Sequence, residues 1–384
     1  MQNLKITFFR LMVVLSTVGF TACDDNNIDP STEKENSMSL VIPQYVNHTV
    51  IATYRSLADA TIDLYEAIDH LAKNKTTANL NTVAEAWISS RTYWEKSEAF
   101  LFGAVADFGI DPHIDTWPLD EVAFLKVINN SDFIESMDAE DGDVWAANHL
   151  GFALLGFHGI EYILFEEGKT KDINKITANE LIYARAVAGD LRNQCIRLEA
   201  AWAGIDNISA EKKQLIENLD LQIMPSNSPL SYGENMLLAG KAGSTYRTVT
   251  QAAIAIIAGC INISDEVGEV KIGTAHNKDD VNYIESPYSF NSKVDFIDNI
   301  RSIENAYLGG VEGHRGASIS DYIKSVNSDL DNTVKNAMTH AIAKIDAIPY
   351  PFAKNYASAE AGTALKACQD LTVALEKVKS VLEE

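Results

Sequence analysis

Cysteine and proline are scarce in this chain, and strand-like alternation is nearly absent. The 384 residues include four cysteines (Cys23, Cys195, Cys260 and Cys368) and nine prolines. The cysteines lie far apart, with no CxxC and no Cys/His zinc spacing, which excludes a disulfide-stapled scaffold and a zinc finger. Basic residues are also in short supply, 31 against 54 acidic ones, for a net charge of -23. Such a chain is unsuited to nucleic acid or to anionic membrane surfaces. It would attract cations or basic partners, or the charge serves solubility alone. No GxGxxG fingerprint, phosphate loop, nucleophile elbow or HExxH zinc motif is present.

A short apolar run stands at the N-terminus. Lys5 and Arg10 precede Leu11–Leu15, and the run continues to Phe20. It is too short to span a bilayer and fits a secretory signal over residues 1–22. Its end, Phe20-Thr21-Ala22-Cys23, resembles a bacterial lipobox. The resemblance implies cleavage before Cys23 and lipid on that residue; the alternative is an ordinary cleaved signal with an incidental cysteine. Residues 23–40 are polar and read as a flexible tether. Cleavage removes Lys5 and Arg10 and no acidic residue, so the mature chain is more acidic still. Three cysteines then remain, an odd number for an exported protein, and buried free thiols are the simplest reading.

The mature chain reads as long helices. Apolar residues recur at helical spacing over 44–73, at Tyr54, Leu57, Leu64, Ile68 and Leu71 among others. Asn81 or Thr82 starts a second helix running toward Gly103, and a Gly/Pro/Asp-rich loop follows to about Leu119. Further helices are expected over 143–166, 177–203 (opened by a Thr177/Glu180 capping box), 208–222, 230–268, 292–308, 317–346 and 357–383. The reading is all-α, with two four-helix-bundle-like domains, 41–205 and 206–384. A short echo between Ser97–Gly103 and Glu304–Gly310 fits either a duplication or a shared way of ending a helix.

Four groups of residues could carry chemistry. His158 and Glu161 stand three apart, on one face of a helix, in a stretch with glycines at 151, 156 and 159. They are either ligands for a metal that needs further donors, or a polar pair in which Glu161 fixes the imidazole. Arg91, Trp94, Glu95 and Glu98 form one stripe, in which a buried Glu98 needs a partner. If that helix lies beside His158, Glu95 or Glu98 completes a site; otherwise the stripe is a salt-bridged face with Trp94 in the core. Asp115 and Asp120 flank Trp117-Pro118 in a rigid loop, where Asp115 lines a site or caps a helix. Polar residues crowd Glu285–Ser292 and continue at Asp295, Asn299 and Arg301. The other histidines form no ligand spacing with one another.

The motif Gly156-x-His158-x-x-Glu161 resembles that of the imelysin-like family, also known as the M75 peptidase family. Arg91–Gly103, with Trp94, Glu95 and Glu98, agrees with it, as do Ile114-Asp115-Thr-Trp117-Pro118 and Asp295–Gly309. The resemblance spans roughly residues 40–384. It implies two helical bundles with the GxHxxE site near their meeting, in an exported or lipid-anchored protein associated with iron acquisition. The expected function is binding of iron, or of a small iron-containing ligand, at the cell envelope, on the periplasmic side or the cell surface. His158 and Glu161 would ligate, and Glu95, Glu98 and Asp115 would supply extra oxygens to iron or zinc. Gly156, Arg91, Trp94 and Trp117 would be structural. The alternatives are a zinc-dependent peptidase, for which HxxE lacks the second histidine and general base of HExxH, and a non-catalytic scaffold for an envelope partner.

Overall fold

Short polar motifs set the helix starts. Thr177 accepts from the Glu180 backbone N–H, and Glu180 accepts in return from that of Thr177, opening Ala178–Ala203 as expected. Thr76 caps Thr77–Glu95 through Asn79 N, so this helix starts before the expected Asn81 or Thr82. Ser358 does the same for Ala359–Glu383 through Ala361 N.

The computed structural model describes residues 30–384. The signal segment and the lipidation residue Cys23 lie outside the described residues. The fold is all-α, with one two-residue strand pair, Phe165–Glu166 against Lys169–Thr170. One group of helices is built on Ile51–Lys73, Thr77–Glu95 and Ala178–Ala203, with Gly142–His149 and Gly156–Leu164 packed against the last. A second is built on Val249–Asp265, Ser292–Tyr307, Ser328–Asp346 and Ala359–Glu383. The groups meet where Ser292–Tyr307 packs on Thr77–Glu95, and one continuous apolar core runs through both. Ala210–Asn218 and Tyr232–Leu237 pack on Ala178–Ala203, while Pro30–Tyr45 packs on Val249–Asp265. The packing groups therefore depart from the sequence division at 40/41 and 205/206. Cys195, Cys260 and Cys368 are free and buried. No helix among the described residues is long and apolar enough to cross a membrane.

Where described, the expected tether is a correction: the chain is helical from Pro30 to Tyr45. Met38, Val41 and Ile42 are buried. Lys34 Nζ donates to the Leu382 carbonyl at 2.9 Å, and Glu35 accepts from Val249 N and Thr250 N at 3.2 and 3.3 Å. The charges that read as solvated thus sit at the ends of two other helices, a cation on the last carbonyls and an anion on the first N–H groups. The helix continues through a wide π turn, Val46–Val50, into Ile51–Lys73.

Other long helices are interrupted. The 317–346 span divides at Asn327, which leaves helical geometry and caps Leu330 N. The 230–268 span breaks between Leu237 and Val249, and after Asp265 it widens into a π turn, Glu266–Ile272. The loop expected after Gly103 contains two short helices, Ala104–Phe108 and Asp111–Ile114.

The break that matters most lies within the expected 143–166 helix, which divides into Gly142–His149, a turn at Phe152–Leu154, and Gly156–Leu164. Gly156 has φ +68°, and a Cβ there would lie 2.0 Å from the Ile114 carbonyl. Only glycine lets the His113–Ile114 backbone, just before Asp115, come this close to the start of the His158 helix. Gly151 has ordinary backbone angles and open space around it. Gly156→Ala is expected to destabilise the protein by at least about 2 kcal/mol. Gly151→Ala should stay within about 0.5 kcal/mol of the parent. Urea denaturation distinguishes the two, and equal effects would refute the role given to Gly156.

Candidate functional site

Arg91 lies in the last turns of Thr77–Glu95, with no exposed side-chain surface. Its guanidinium meets carboxylates on several sides. Nη1 donates to Asp115 Oδ1 and Nη2 to Glu285 Oε1, both in short hydrogen bonds. Nη2 is also 2.6 Å from Glu95 Oε1, one turn along its own helix, and Nε is 3.7 Å from Asp295 Oδ1. The Glu95 contact is an ion pair without a hydrogen bond, because Oε1 lies off the N–H direction.

Asp115, held near by the Gly156 approach, joins Arg91 to the GxHxxE helix. Its Oδ1 also lies 3.0 Å from His158 Nε2, and its Oδ2 accepts from Trp94 Nε1 at 2.8 Å. Burial would raise the Asp115 carboxyl, but Arg91 and His158 hold it well below the usual carboxylate range. His158 Nδ1 lies 3.0 Å from Glu161 Oε2, as the spacing of three allows. Glu161 Oε1 accepts from Tyr288 N, Ser289 N and Ser289 Oγ at 3.1, 2.8 and 2.7 Å. Burial opposes charge on His158, but the hydrogen bonds to Asp115 and Glu161 outweigh it and raise the imidazole to about 9. At neutral pH the ring is an imidazolium that donates from both nitrogens. Gly159 leaves room for Tyr183, whose hydroxyl donates to Leu154 O; a Cβ there would lie 2.6 Å from that hydroxyl.

The second half of the chain completes the cluster. The π turn Glu266–Ile272 carries Lys271, whose Nζ is 3.0 Å from Glu285, 3.6 Å from Glu95 and 3.8 Å from Glu98. Asn299 Nδ2 donates to Glu95 Oε2 at 2.5 Å. Ser286 Oγ and Asn291 Nδ2 donate to the two oxygens of Asp295 at 2.6 and 2.7 Å. Three basic groups, Arg91, His158 and Lys271, thus stand among six buried carboxylates, Glu95, Glu98, Asp115, Glu161, Glu285 and Asp295. Burial pushes Glu95 and Asp295 up to about 7, and raises Glu98 and Glu285. The surplus carboxylates therefore retain protons more readily than exposed ones.

All the sequence-stripe residues converge here, but not as two ligands with helpers. His158 and Glu161 bind each other, and Glu98 has Lys271 rather than His158 as its ionic neighbour. The groups whose ligand atoms lie within 4.8 Å of one another are Asp115/His158/Glu285, Glu95/Glu285/Asp295 and Glu95/Glu98/Asp115; Glu161 belongs to none of them. A cavity of about 260 Å³ opens onto Glu98 and Asp115, with Asp111, Glu266, Lys271 and Tyr283 around it. Trp117 lines it too, its ring 4.0 Å from that of Tyr283. Burial raises Asp111 to about 7. Lys271, Asp111 and Glu266 were not singled out from the sequence; Lys271 lies in the mixed segment Glu266–Ile272, which shows no spacing to mark it. Arg301, named with the polar segment, is outside the cluster and half-exposed.

Arg91→Met should destabilise the protein by about 3–5 kcal/mol in urea denaturation, since it strands buried carboxylates. A loss below about 1 kcal/mol would show that the cluster is not held by this residue. For His158, a raised value gives stability that is full below about 6.5 and is lost as pH rises to about 9, up to about 3 kcal/mol. Melting temperature should fall across that range, and His158→Gln should flatten the fall. An unchanged slope in the variant would remove the imidazolium assignment.

The sequence profile described as imelysin, peptidase M75, matches residues 50–378. The chain is 25% identical over 343 residues to iron-regulated protein A of Synechococcus elongatus, covering 89% of this chain and 84% of that protein. A crystal structure of a candidate iron-regulated protein A precursor from Parabacteroides distasonis superposes with a TM-score of 0.76 at 30% identity, covering 90% of this chain and 95% of that one. An imelysin-like protein from Psychrobacter arcticum shares the fold, with a TM-score of 0.58 at 14% identity over 91% of this chain and 94% of the other. With its GxHxxE helix set against Arg91 and Asp115, this chain belongs to the imelysin (M75 peptidase) family.

Proposed function

We propose that this protein binds iron as a cargo at the acidic cluster and acts in metal acquisition at the cell envelope. The observation that carries the reading is the cavity that brings solvent to Glu98 and Asp115, at the edge of a carboxylate-rich interior. Donors there are almost all oxygens, which suits a hard cation such as ferric iron. Glu95, Glu98 and Asp115 lie close enough to share one ion, and Asp111 and Glu266 make the entrance acidic. The relative named iron-regulated protein A supports iron over other hard cations.

In this reading His158 holds Asp115 in place, Glu161 holds His158, and the loop at Tyr288 and Ser289 holds Glu161. Direct ligation by His158, in the Asp115/His158/Glu285 group, requires the imidazole to give up the proton it shares with Asp115. Arg91 and Lys271 already neutralise part of the cluster, so an incoming cation displaces protons, or the Lys271 ammonium, from Glu95 and Glu98. Anchoring is through lipid on Cys23. The described helix Pro30–Tyr45 begins seven residues after Cys23, a length of chain that spans at most about 25 Å.

Chelator-stripped protein titrated with ferrous iron under argon, and with ferric iron supplied as a weak complex, should take up about one ion per chain by elemental analysis. Glu98→Gln and Asp111→Asn should weaken uptake at least about tenfold while leaving the fold intact. Absence of uptake for either oxidation state would overturn the reading. Chelator-sensitive cleavage of denatured protein that His158→Ala abolishes would favour the peptidase instead.

A further inference from the structure

Arg301 stands two residues beyond Asn299, which turns it to the other side of the Ser292–Tyr307 helix, away from Glu95. There it lines a separate cleft of about 610 Å³ between Ile51–Lys73, Thr77–Glu95 and Ser292–Tyr307, edged by residues 311–315. Lys96, Arg301 and Arg315 supply three cations to the lining of this cleft, in a chain of net charge -23. Arg315 Nη1 is fixed on the Glu304 and Gly310 carbonyls, which leaves the rest of its guanidinium without a hydrogen bond.

The lining of this cleft is incomplete as it stands. Asn305 is 7% exposed, and its side-chain amide has no hydrogen-bond partner among the described residues. The Tyr93 hydroxyl has none either. Both groups line the cleft and are available to a ligand there. Thr53 and Ser56 donate back to their own helix, leaving lone pairs for a ligand hydroxyl. Two carboxylates also face the cleft. Glu304 is 3.4 Å from Arg301, with its carboxyl pushed up by burial, and Glu312 lies on the edge. Asp298 pairs with Lys96 at 3.5 Å from beside the cleft. An anionic group meets the guanidinium groups, the ammonium and the Asn305 amide; neutral hydroxyls on the same molecule donate to Glu304 and Glu312.

We propose that this cleft is a second binding site, independent of the acidic cluster, for a small hydroxylated anion bearing a phosphate or carboxylate head. Calorimetric titration of the full chain with glycerol 3-phosphate, with tartrate and with glycerol tests it. Saturable binding of one or both anions and none of neutral glycerol is expected, and whichever binds tighter identifies the head group. Arg315→Glu and Asn305→Asp should each weaken binding about tenfold or more. Arg301→Gln, at a half-exposed position, gives the same readout if either of those variants fails to fold. Glu98→Gln should leave it unchanged, so that failure here and failure of iron uptake are separate results. No binding of either anion, or binding that survives Arg315→Glu and Arg301→Gln within about twofold, would overturn the proposal.

Discussion

One buried guanidinium organises the centre of this protein. Arg91 takes Glu95 from its own helix, Asp115 from a connecting loop, and Glu285 and Asp295 from the other half of the chain. A planar fork of five donors can serve several carboxylates at once in a way an ammonium cannot. Through Asp115 it reaches His158, through His158 it reaches Glu161, and Glu161 binds the loop at Tyr288 and Ser289. The two helical groups are thus joined by a charged network as well as by a shared apolar core.

That network has more carboxylates than cations, and burial makes the imbalance consequential. In water, six carboxylates beside three basic groups would all ionise; here the dry surroundings raise Glu95, Glu98, Glu285 and Asp295. Such a site retains protons more readily than an exposed one, and the Glu98–Asp115 cavity opens its edge to solvent. The same environment protonates His158. This makes the family motif read as a brace for Asp115 as much as a ligand pair.

The helices were legible because their signals are local. The Tyr54–Leu57–Leu64–Ile68–Leu71 stripe and the Thr177/Glu180 box needed no tertiary information. The interruptions were less so. Asn327 and the two π turns leave little trace in periodicity, and residues 30–40 looked like part of a tether because their charges are satisfied by other helices. Of the site, the sequence supplied His158, Glu161, Arg91, Glu95, Glu98 and Asp115, whose spacing or setting is unusual. It missed Lys271, because one lysine among Glu266, Glu269 and apolar residues has no pattern to recognise it by.

By itself the sequence determined an acidic, all-helical chain, the caps that start its helices, and a His/Glu pair on one helical face. These follow from composition and from neighbours a turn apart, where covalent geometry fixes who meets whom. Only the tertiary structure decided that Gly156 admits the His113–Ile114 backbone, that both nitrogens of His158 are occupied, that a π turn delivers Lys271 to Glu285, and that Arg301 faces a different cleft from Asn299. Those contacts join residues distant in the chain. They depend on packing distances and a low local dielectric, which neither periodicity nor motif spacing encodes.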